Sequence, residues 1–352
     1  MKTMELAGLR DIRPGNAPKP TIKGPGDVLV RITAVGVCGS DVHYYAAGNI
    51  GDQIVDFPFR LGHECAGVVE SVGDRVTRVK PGDHIVVDPL IPCDPSGQVC
   101  DQCDSDREHT CRNQKFLGCP GQTEGCLSEF IIMPEGSCFA ISKSIPFEQA
   151  VLAEPLSIGC YCVNQSIPMK HARIAVLGTG PIGLSVIIPA ILGGAARIYA
   201  TDKLDYRLDI SARAGATWTG NPDVSDIASE IMEREPEGVD CVFECCGQQD
   251  AIDQAVEILK PGGRLMLVGI PREDHISFNI SRVRRKELTI VNVRRQNNCV
   301  EEAIDLLGNP GVNTDFMVTH RFSFGDTQKA FDLVDGYLDN VVKAVICIEN
   351  EE

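Results

Sequence analysis

The sequence predicts an α/β protein with two domains, one a partly open β-barrel and the other a doubly wound parallel sheet. The chain has 352 residues, which is more than one compact core usually serves. Short β-rich runs separated by Gly, Pro and Asp turns occupy residues 27–134, whereas strand and helix patterns alternate from Arg173 onward. Alternation favours a parallel sheet with helices on both faces, because parallel strands require crossover connections.

The individual elements follow from periodicity and turn residues. In the first part we expect strands at 28–37, 66–72, 84–87 and 130–133. Helical spacing over 147–165 predicts a connecting helix at a domain boundary. Later strands are expected at 174–177, 198–201, 239–245, 265–268, 288–293 and 341–348, and later helices from Pro181, before Gly215, and at 251–259, 300–307 and 327–338.

Composition limits the possible partners and location. A formal net charge of −16 argues against nucleic acid, because phosphate binding needs clustered Lys and Arg. The N-terminus lacks the apolar core of a secretory signal, and the longest apolar stretch, 184–196, is too short to span a bilayer. We therefore expect a cytoplasmic protein that binds neither nucleic acid nor membrane. Sixteen cysteines in a reducing compartment suggest metal ligation for some of them.

A glycine fingerprint predicts a dinucleotide site. The sequence Gly178-Thr179-Gly180-Pro181-Ile182-Gly183 follows an expected strand and opens a helix at Pro181. Gly178 would form the tight turn, Gly180 would let the backbone approach the pyrophosphate, and Gly183 would allow close packing of helix on strand.

Asp202 favours NAD over NADP. It comes 19 residues after Gly183 at a strand end, where a carboxylate accepts from both ribose hydroxyls and repels a 2′-phosphate. Lys203 and Arg207 lie close by in sequence and would weaken that preference. The alternative is that Asp202 is only a helix N-cap before Leu204.

Four cysteines lie within 19 residues and predict a structural zinc site. They are Cys93, Cys100, Cys103 and Cys111. Four thiolates fill a tetrahedral zinc shell, so such a site would hold a lobe together without taking part in catalysis. The alternative is a set of unrelated thiols; Cys119 and Cys126 are interpreted as such bystanders.

A second metal site, with an open position for water or substrate, needs about three protein ligands from separate loops. Cys38 ends a long strand-like run and His63 precedes the next one, with Glu64 beside it. Zinc in such a site would lower the pKa of an alcohol that binds to it.

These motifs, in their order, resemble the zinc-dependent medium-chain dehydrogenases/reductases, and most closely the sorbitol (L-iditol 2-) dehydrogenase and other polyol dehydrogenases. The resemblance is carried by residues 36–44, 62–64, 93–111, 154–156 and 178–183, and extends to 48–52 and 318–322. It implies a GroES-like catalytic domain at 1–150, to which 290–352 returns, and a Rossmann NAD-binding domain at 151–289. It also implies a homodimer or homotetramer built through Rossmann-domain edge strands.

The resemblance assigns roles residue by residue. Cys38, His63 and Glu64 would bind the catalytic zinc, and Glu154 would either bind it or hold its water. Ser40 and His43 would carry the alcohol proton outward. The remaining implied contacts are Tyr44, Glu154 and Arg294 for substrate, Arg207 for cofactor, and Ile182, Gly269, Ile270 and Val293 for the nicotinamide half of the cofactor.

Two positions depart from the family pattern. Cys100 follows Cys93 by seven positions, where the family usually has a C-x2-C step, so the identity of the first ligand of the structural zinc stays open. Arg295 stands where animal sorbitol dehydrogenases have tyrosine. A second guanidinium beside Arg294 points to a sugar acid as an alternative substrate, because paired Arg groups bind carboxylates well.

We therefore predict oxidation of a secondary alcohol of a polyol such as sorbitol, L-iditol or xylitol to a ketose, with NAD and zinc. A sugar acid, L-threonine or a simple secondary alcohol are alternative substrates. A dinucleotide-binding sensor without turnover is the non-enzymatic alternative. The choice of Glu64 or Glu154 as the direct ligand stays open.

Overall fold

The computed structural model describes residues 1–94, 97–271, 273 and 275–349. It divides into two compact units, Met1–Glu154 with Val300–Glu352, and Pro155–Cys299. None of the described helices combines the length and the apolar character that a membrane crossing requires.

The elements run as follows in chain order. The strands are β1 Lys2–Gly8, β2 Asp11–Asn16, β3 Asp27–Gly36, β4 Asn49–Ile50, β5 Gln53–Ile54, β6 Glu64–Val72, β7 His84–Val87, β8 Leu90–Ile91, β9 Lys115–Phe116, β10 Phe130–Pro134, β11 Cys138–Ala140, β12 Arg173–Leu177, β13 Arg197–Thr201, β14 Trp218–Gly220, β15 Val239–Glu244, β16 Leu259–Leu267, β17 Thr289–Asn292, β18 Val318–Ser323 and β19 Lys343–Cys347. The helices are α1 Gly39–Ala47, α2 Asp101–Asp104, α3 Phe147–Ala150, α4 Ala153–Gln165, α5 Pro181–Leu192, α6 Asp205–Ala214, α7 Ile227–Arg234, α8 Gln249–Ile258, α9 Ile280–Arg285, α10 Val300–Gly308 and α11 Thr327–Asp335.

The first unit is organised by a seven-stranded sheet. Six of its strands run in the order β11-β7-β6-β3-β19-β18. The seventh strand, β10, pairs with residues 27–31 of β3, whereas β19 pairs with residues 34–36. Alternating apolar residues of β3 and β6 are buried on the core side, which is the pattern of strands with one face packed inward. The C-terminal strand β19 lies antiparallel beside β3, so both ends of the chain contribute to one sheet.

The register of this sheet brings three distant chain segments together. Gly36 at the end of β3 pairs with Glu64 at the start of β6 and with Val345 in β19. Cys38 lies two residues beyond Gly36, His63 one residue before β6, and Lys343 two residues before Val345. Strand pairing alone, without a metal, therefore brings Cys38, His63 and Lys343 near one another.

The second unit is the expected parallel sheet with helices. Its six strands run in the order β14-β13-β12-β15-β16-β17, and every pair is parallel. The strand order reverses on either side of β12, which creates the switch point where ligands of such sheets usually bind. Because β17 pairs with β16, the chain leaves this sheet only after Asn292, later than the limit at 289 taken from the sequence.

Candidate metal and dinucleotide sites

The structure places Cys38, His63 and Glu64 together. One ligand atom of each, the cysteine Sγ, an imidazole nitrogen and a carboxylate oxygen, lies within 4.8 Å of the others. We call these three residues the mixed cluster. His63 and Glu64 are buried and Cys38 is half-buried. A thiolate, an imidazole and a carboxylate are the donor types that zinc accepts, so the residues present fit that metal.

Asp41 holds the imidazole of His63. Its carboxylate Oδ1 lies 3.2 Å from His63 Nδ1 and accepts from the Gly62 N–H at 3.2 Å. Its other oxygen accepts from the Cys38 N–H at 3.4 Å. A neutral imidazole that donates from Nδ1 leaves Nε2 free to bind a metal, so Asp41 selects the useful tautomer. Asp41 lies within the motif 36–44, but its role was not predicted from the sequence.

Lys343 pairs with Glu64 in the interior. Its Nζ lies 2.7 Å from both carboxylate oxygens of Glu64 and donates to the Val37 carbonyl at 3.1 Å. Both side chains are 1% exposed. Burial lowers the pKa of Lys343, but Glu64 and Cys38 more than offset this, so the pKa is raised and the lysine stays charged. Lys343 was not predicted as a site residue; its only signal in the sequence is a lysine inside the apolar run 341–348.

Charges within this region shift the pKa values of two further groups. Burial lowers the pKa of His63, but Asp41 and Cys38 outweigh it and raise the pKa well above its ordinary value. Burial raises the pKa of Glu154 to about 7, with His63 opposing the rise and Glu64 adding to it. A divalent cation bound to the mixed cluster would instead lower the pKa of His63 and favour the neutral imidazole. Glu154 is therefore electrostatically coupled to the mixed cluster, although it is not among the donors that lie within 4.8 Å of one another.

Helix α1 carries the expected proton-transfer and substrate residues. The Ser40 hydroxyl donates to Cys38 Sγ at 3.2 Å, so it contacts a proposed metal ligand. His43 is half-buried on the same helix. Tyr44 is 5% exposed, and its hydroxyl donates to Gln53 Oε1 at 2.7 Å.

The cysteines at 93, 100, 103 and 111 also come together, and we call them the sulfur cluster. Cys93 Sγ lies 3.5 Å from Cys111 Sγ, and Cys100 Sγ lies 3.7 Å from Cys103 Sγ and 3.8 Å from Cys111 Sγ. The unusual spacing after Cys93 therefore does not remove it from the group.

Amide groups donate to the sulfur cluster. The Arg112 N–H donates to Cys100 Sγ at 3.4 Å, the Asn113 N–H donates to Cys111 Sγ at 3.4 Å, and the Asn113 side-chain amide donates to Cys93 Sγ at 3.5 Å. Backbone amides of Cys103 and Arg112 lower the pKa of Cys100 to about 6. Burial instead raises the pKa of Cys103 and of Cys111. A divalent cation would favour the thiolate form of all four cysteines, and four thiolates fit a closed zinc shell.

The fingerprint turn has the backbone geometry that a pyrophosphate requires. Gly178 has a φ of 89°, and a Cβ there would lie 2.7 Å from the Cβ of Cys246. A Cβ on Gly183 would lie 2.1 Å from the carbonyl oxygen of Gly178. Gly180 is the N-cap of α5, with Pro181 in the first turn, so the first N–H groups of this helix have no partner within the helix itself.

Asp202 lies beside this turn, after β13. Its Oδ2 accepts from the Thr179 N–H at 2.9 Å and lies 3.6 Å from Arg207 Nη1, and its Oδ1 accepts from the Leu204 N–H at 3.0 Å. The N-cap of α6 is Leu204, so the interpretation of Asp202 as only an N-cap is wrong. Lys203 is exposed and pairs with Asp223 at 3.2 Å.

The other expected cofactor and substrate residues of this unit follow strand ends or begin α5. A Cβ on Gly269 would lie 2.2 Å from the Gly247 nitrogen, so that position requires glycine. The other five residues differ in exposure. Ile182 and Val293 are half-buried, and Ile270 and Arg294 are exposed. Arg295 is half-buried and has a φ of 54°.

Comparison with known protein families decides the family. The alcohol dehydrogenase GroES-like domain matches residues 24–143, and the zinc-binding dehydrogenase domain matches residues 181–309. The chain belongs to the zinc-dependent medium-chain dehydrogenases/reductases. It is therefore an oxidoreductase, and both the predicted fold class and the predicted family are confirmed. The non-enzymatic sensor is excluded by the same finding.

Individual relatives narrow this dehydrogenase to the polyol and sugar branch. It is 33% identical to the sorbitol dehydrogenase of Bacillus subtilis, over 98% of this chain and 97% of the relative. It is 32% identical to the L-idonate 5-dehydrogenase of Vitis vinifera, over 88% and 85%. Among solved structures, an Escherichia coli oxidoreductase/dehydrogenase of unknown specificity superposes with a TM-score of 0.93 over 99% of each chain, at 29% identity.

Proposed function

We propose that this dehydrogenase oxidises a secondary alcohol of a polyol to a ketose, with NAD as the hydride acceptor. The observation that carries the proposal is the mixed cluster, in which three zinc-binding donor types converge from different chain segments. Three protein ligands leave one position open, which is what a catalytic zinc needs.

Residues of the first unit would bind the metal and transfer the proton in this reaction. Cys38, His63 and Glu64 would hold the zinc, and Glu154 would hold water beside it. When bound, zinc supplies Lewis acidity that makes the substrate hydroxyl easier to deprotonate. Ser40 and His43 would pass that proton toward solvent, because the hydroxyl must lose it before hydride transfer. The sulfur cluster would hold a second zinc with a structural role.

The preference for NAD rests on Asp202. A carboxylate at this place favours the two ribose hydroxyls of NAD and repels the 2′-phosphate of NADP. Arg207 lies 3.6 Å from that carboxylate and its positive charge offsets part of the repulsion of a 2′-phosphate, so the preference is expected to be moderate. Ile182, Gly269, Ile270 and Val293 would line the nicotinamide half of the cofactor.

The substrate assignment has one competing candidate. A relative named sorbitol dehydrogenase supports a polyol, and Tyr44 with Arg294 would contact its hydroxyl groups. The adjacent Arg294 and Arg295, together with a relative named L-idonate 5-dehydrogenase, support a sugar acid instead. Two guanidinium groups would bind its carboxylate more tightly than any polyol hydroxyl.

We also propose a cytoplasmic homo-oligomer. All sixteen cysteines are free thiols, as expected of a reducing compartment. Strand β17 lies at the edge of the parallel sheet and would pair with a second copy, as the family resemblance suggests.

Turnover of purified, zinc-loaded protein tests the proposal through NADH absorbance. Sorbitol and xylitol with NAD should give the highest kcat/KM, ahead of L-idonate, L-threonine and 2-butanol. In the variants Cys38→Ala and His63→Ala, turnover should fall by about 1,000-fold or more while NAD binding is kept, because several kcal/mol of transition-state stabilisation are lost. Faster turnover of L-idonate would favour the sugar acid, and undiminished activity of either variant would refute the zinc mechanism.

A further inference from the structure

The hydroxyl of Tyr44 is held by a residue that has no assigned role. Tyr44 OH donates to Gln53 Oε1 at 2.7 Å. Gln53 begins β5, which pairs with β4 directly after helix α1 ends at its left-handed C-cap Gly48. The short hairpin therefore returns the Gln53 side chain to the helix that carries Tyr44.

This pair lies on the same wall of the first unit as the mixed cluster. Asp41, which contacts His63, and Tyr44 are three residues apart and share one face of α1. The ring of Phe116 packs against His63, with centroids 5.5 Å apart. Cys119 belongs to the same buried group as Phe116, and its Sγ lies 3.9 Å from Tyr44 OH. A continuous row of side chains thus links His63 to the Tyr44 hydroxyl.

The hydrogen-bonding capacity of the Gln53 side chain is only partly used within the part of the chain that the structure describes. A phenol has one proton, and Tyr44 donates it to Gln53, so toward a ligand this hydroxyl can only accept. The amide nitrogen of Gln53 carries two N–H groups and has no hydrogen-bond partner among the residues that the structure describes. Gln53 is only half-buried, so these donors are not lost to the interior.

We infer that Gln53 determines specificity by donating from its amide nitrogen to a hydroxyl of the substrate beyond the reacting carbon, beside Tyr44. The inference rests on the proposed function and gives it a residue that separates polyhydroxylated alcohols from simple ones. A site built to hydrogen-bond a hydroxyl discriminates against substrates that lack it, because its polar groups then stay unpaired. A simple secondary alcohol has no hydroxyl to offer there.

The test compares kcat/KM for sorbitol and for 2-butanol, both with NAD, in the zinc-loaded wild-type enzyme and two variants. Gln53→Leu removes the donor and the acceptor. Gln53→Glu still accepts from Tyr44 but has no N–H to donate. Both should reduce the sorbitol to 2-butanol ratio of kcat/KM by about 10- to 100-fold, mainly through sorbitol.

The neighbouring variant Ile54→Ala is the matched control. Ile54 lies on the same strand with 70% exposure and should leave the ratio unchanged. Thermal unfolding of each variant checks folding, and Gln53→Glu gives the test if Gln53→Leu does not fold. A wild-type ratio in Gln53→Glu would overturn the inference while leaving the proposed function standing. A wild-type enzyme that oxidises 2-butanol but not sorbitol would instead overturn the proposed function, and the inference with it.

Discussion

The mixed cluster and the sulfur cluster differ in how the fold brings their metal-binding side chains together. The four thiols of the sulfur cluster come from one short segment, residues 93–111, and three of them are half-buried. The mixed cluster draws on the ends of β3 and β6, and two of its three residues are buried. A closed set of identical donors suits a structural metal, whereas a mixed set with an open position suits chemistry.

The two clusters also differ in what supports them. Amide N–H groups of Arg112 and Asn113 donate to the sulfur cluster. Buried charges support the mixed cluster, with Asp41 on His63 and Lys343 on Glu64. Removing a side chain that supports the mixed cluster should therefore have a larger effect on stability or zinc binding than removing one that supports the sulfur cluster.

The largest effect is expected from Lys343→Met. This change leaves the Glu64 carboxylate buried without its partner, which should lower the free energy of unfolding by about 3–5 kcal/mol. Urea denaturation measures it. Lys343→Arg keeps the charge and should recover much of the loss. A methionine variant as stable as the wild type would show that the buried pair does not hold the mixed cluster.

Removing a ligand of the sulfur cluster should have the next largest effect. Cys111→Ser should release one zinc and destabilise the chain by about 2–3 kcal/mol, because a metal-dependent lobe loses its cross-link. Zinc analysis and thermal unfolding measure both consequences. Cys347→Ser, a half-buried cysteine outside both clusters, is the control and should retain all zinc. Equal behaviour of the two variants would contradict a structural metal at residues 93–111.

Asp41→Asn tests the support of His63. The imidazole loses its carboxylate partner, so zinc affinity of the mixed cluster should fall by about 10- to 100-fold. Competition with a chromogenic chelator gives the affinity. Asp52→Asn, an exposed change on the neighbouring hairpin, should leave it unaltered. Unchanged affinity in Asp41→Asn would mean that Asp41 serves only to cap α1.

The smallest effect is expected from Asn113→Ala. The side chain is exposed and donates to Cys93 at a long 3.5 Å, so zinc release from the sulfur cluster should accelerate by only about 2- to 5-fold. Stopped-flow release into excess chelator follows this step. Loss of one zinc from Asn113→Ala, as expected for Cys111→Ser, would contradict this by showing that the site depends on this donor as much as on a sulfur ligand.

Much of the fold was predictable from local pattern. The alternation after Arg173 predicted five of the six strands of the parallel sheet, because each buried strand is flanked by turns and followed by a helix. Strand β14 and helix α7 after it were not predicted. The N-terminal hairpin β1–β2 was missed, since Pro14 and Gly15 interrupt its strand pattern. The return of β19 beside β3 depends on pairing across most of the chain, which no local window contains.

The candidate sites divide in the same way. The sulfur cluster and the glycine turn lie within short windows, so residue spacing was enough to find them. Lys343 and Gln53 gain their meaning only from partners, Glu64 and Tyr44, that register and a hairpin turn bring near. Side chains that support a site from another strand leave little local trace in a sequence.

Zinc content of three purified proteins tests the central claim most directly, because it counts the two clusters separately. The wild type should hold about two zinc ions per chain, and His63→Ala and Cys111→Ser about one each, with only His63→Ala folding like the wild type but lacking turnover. A wild-type protein with one zinc, or a His63→Ala protein that keeps two, would contradict the account.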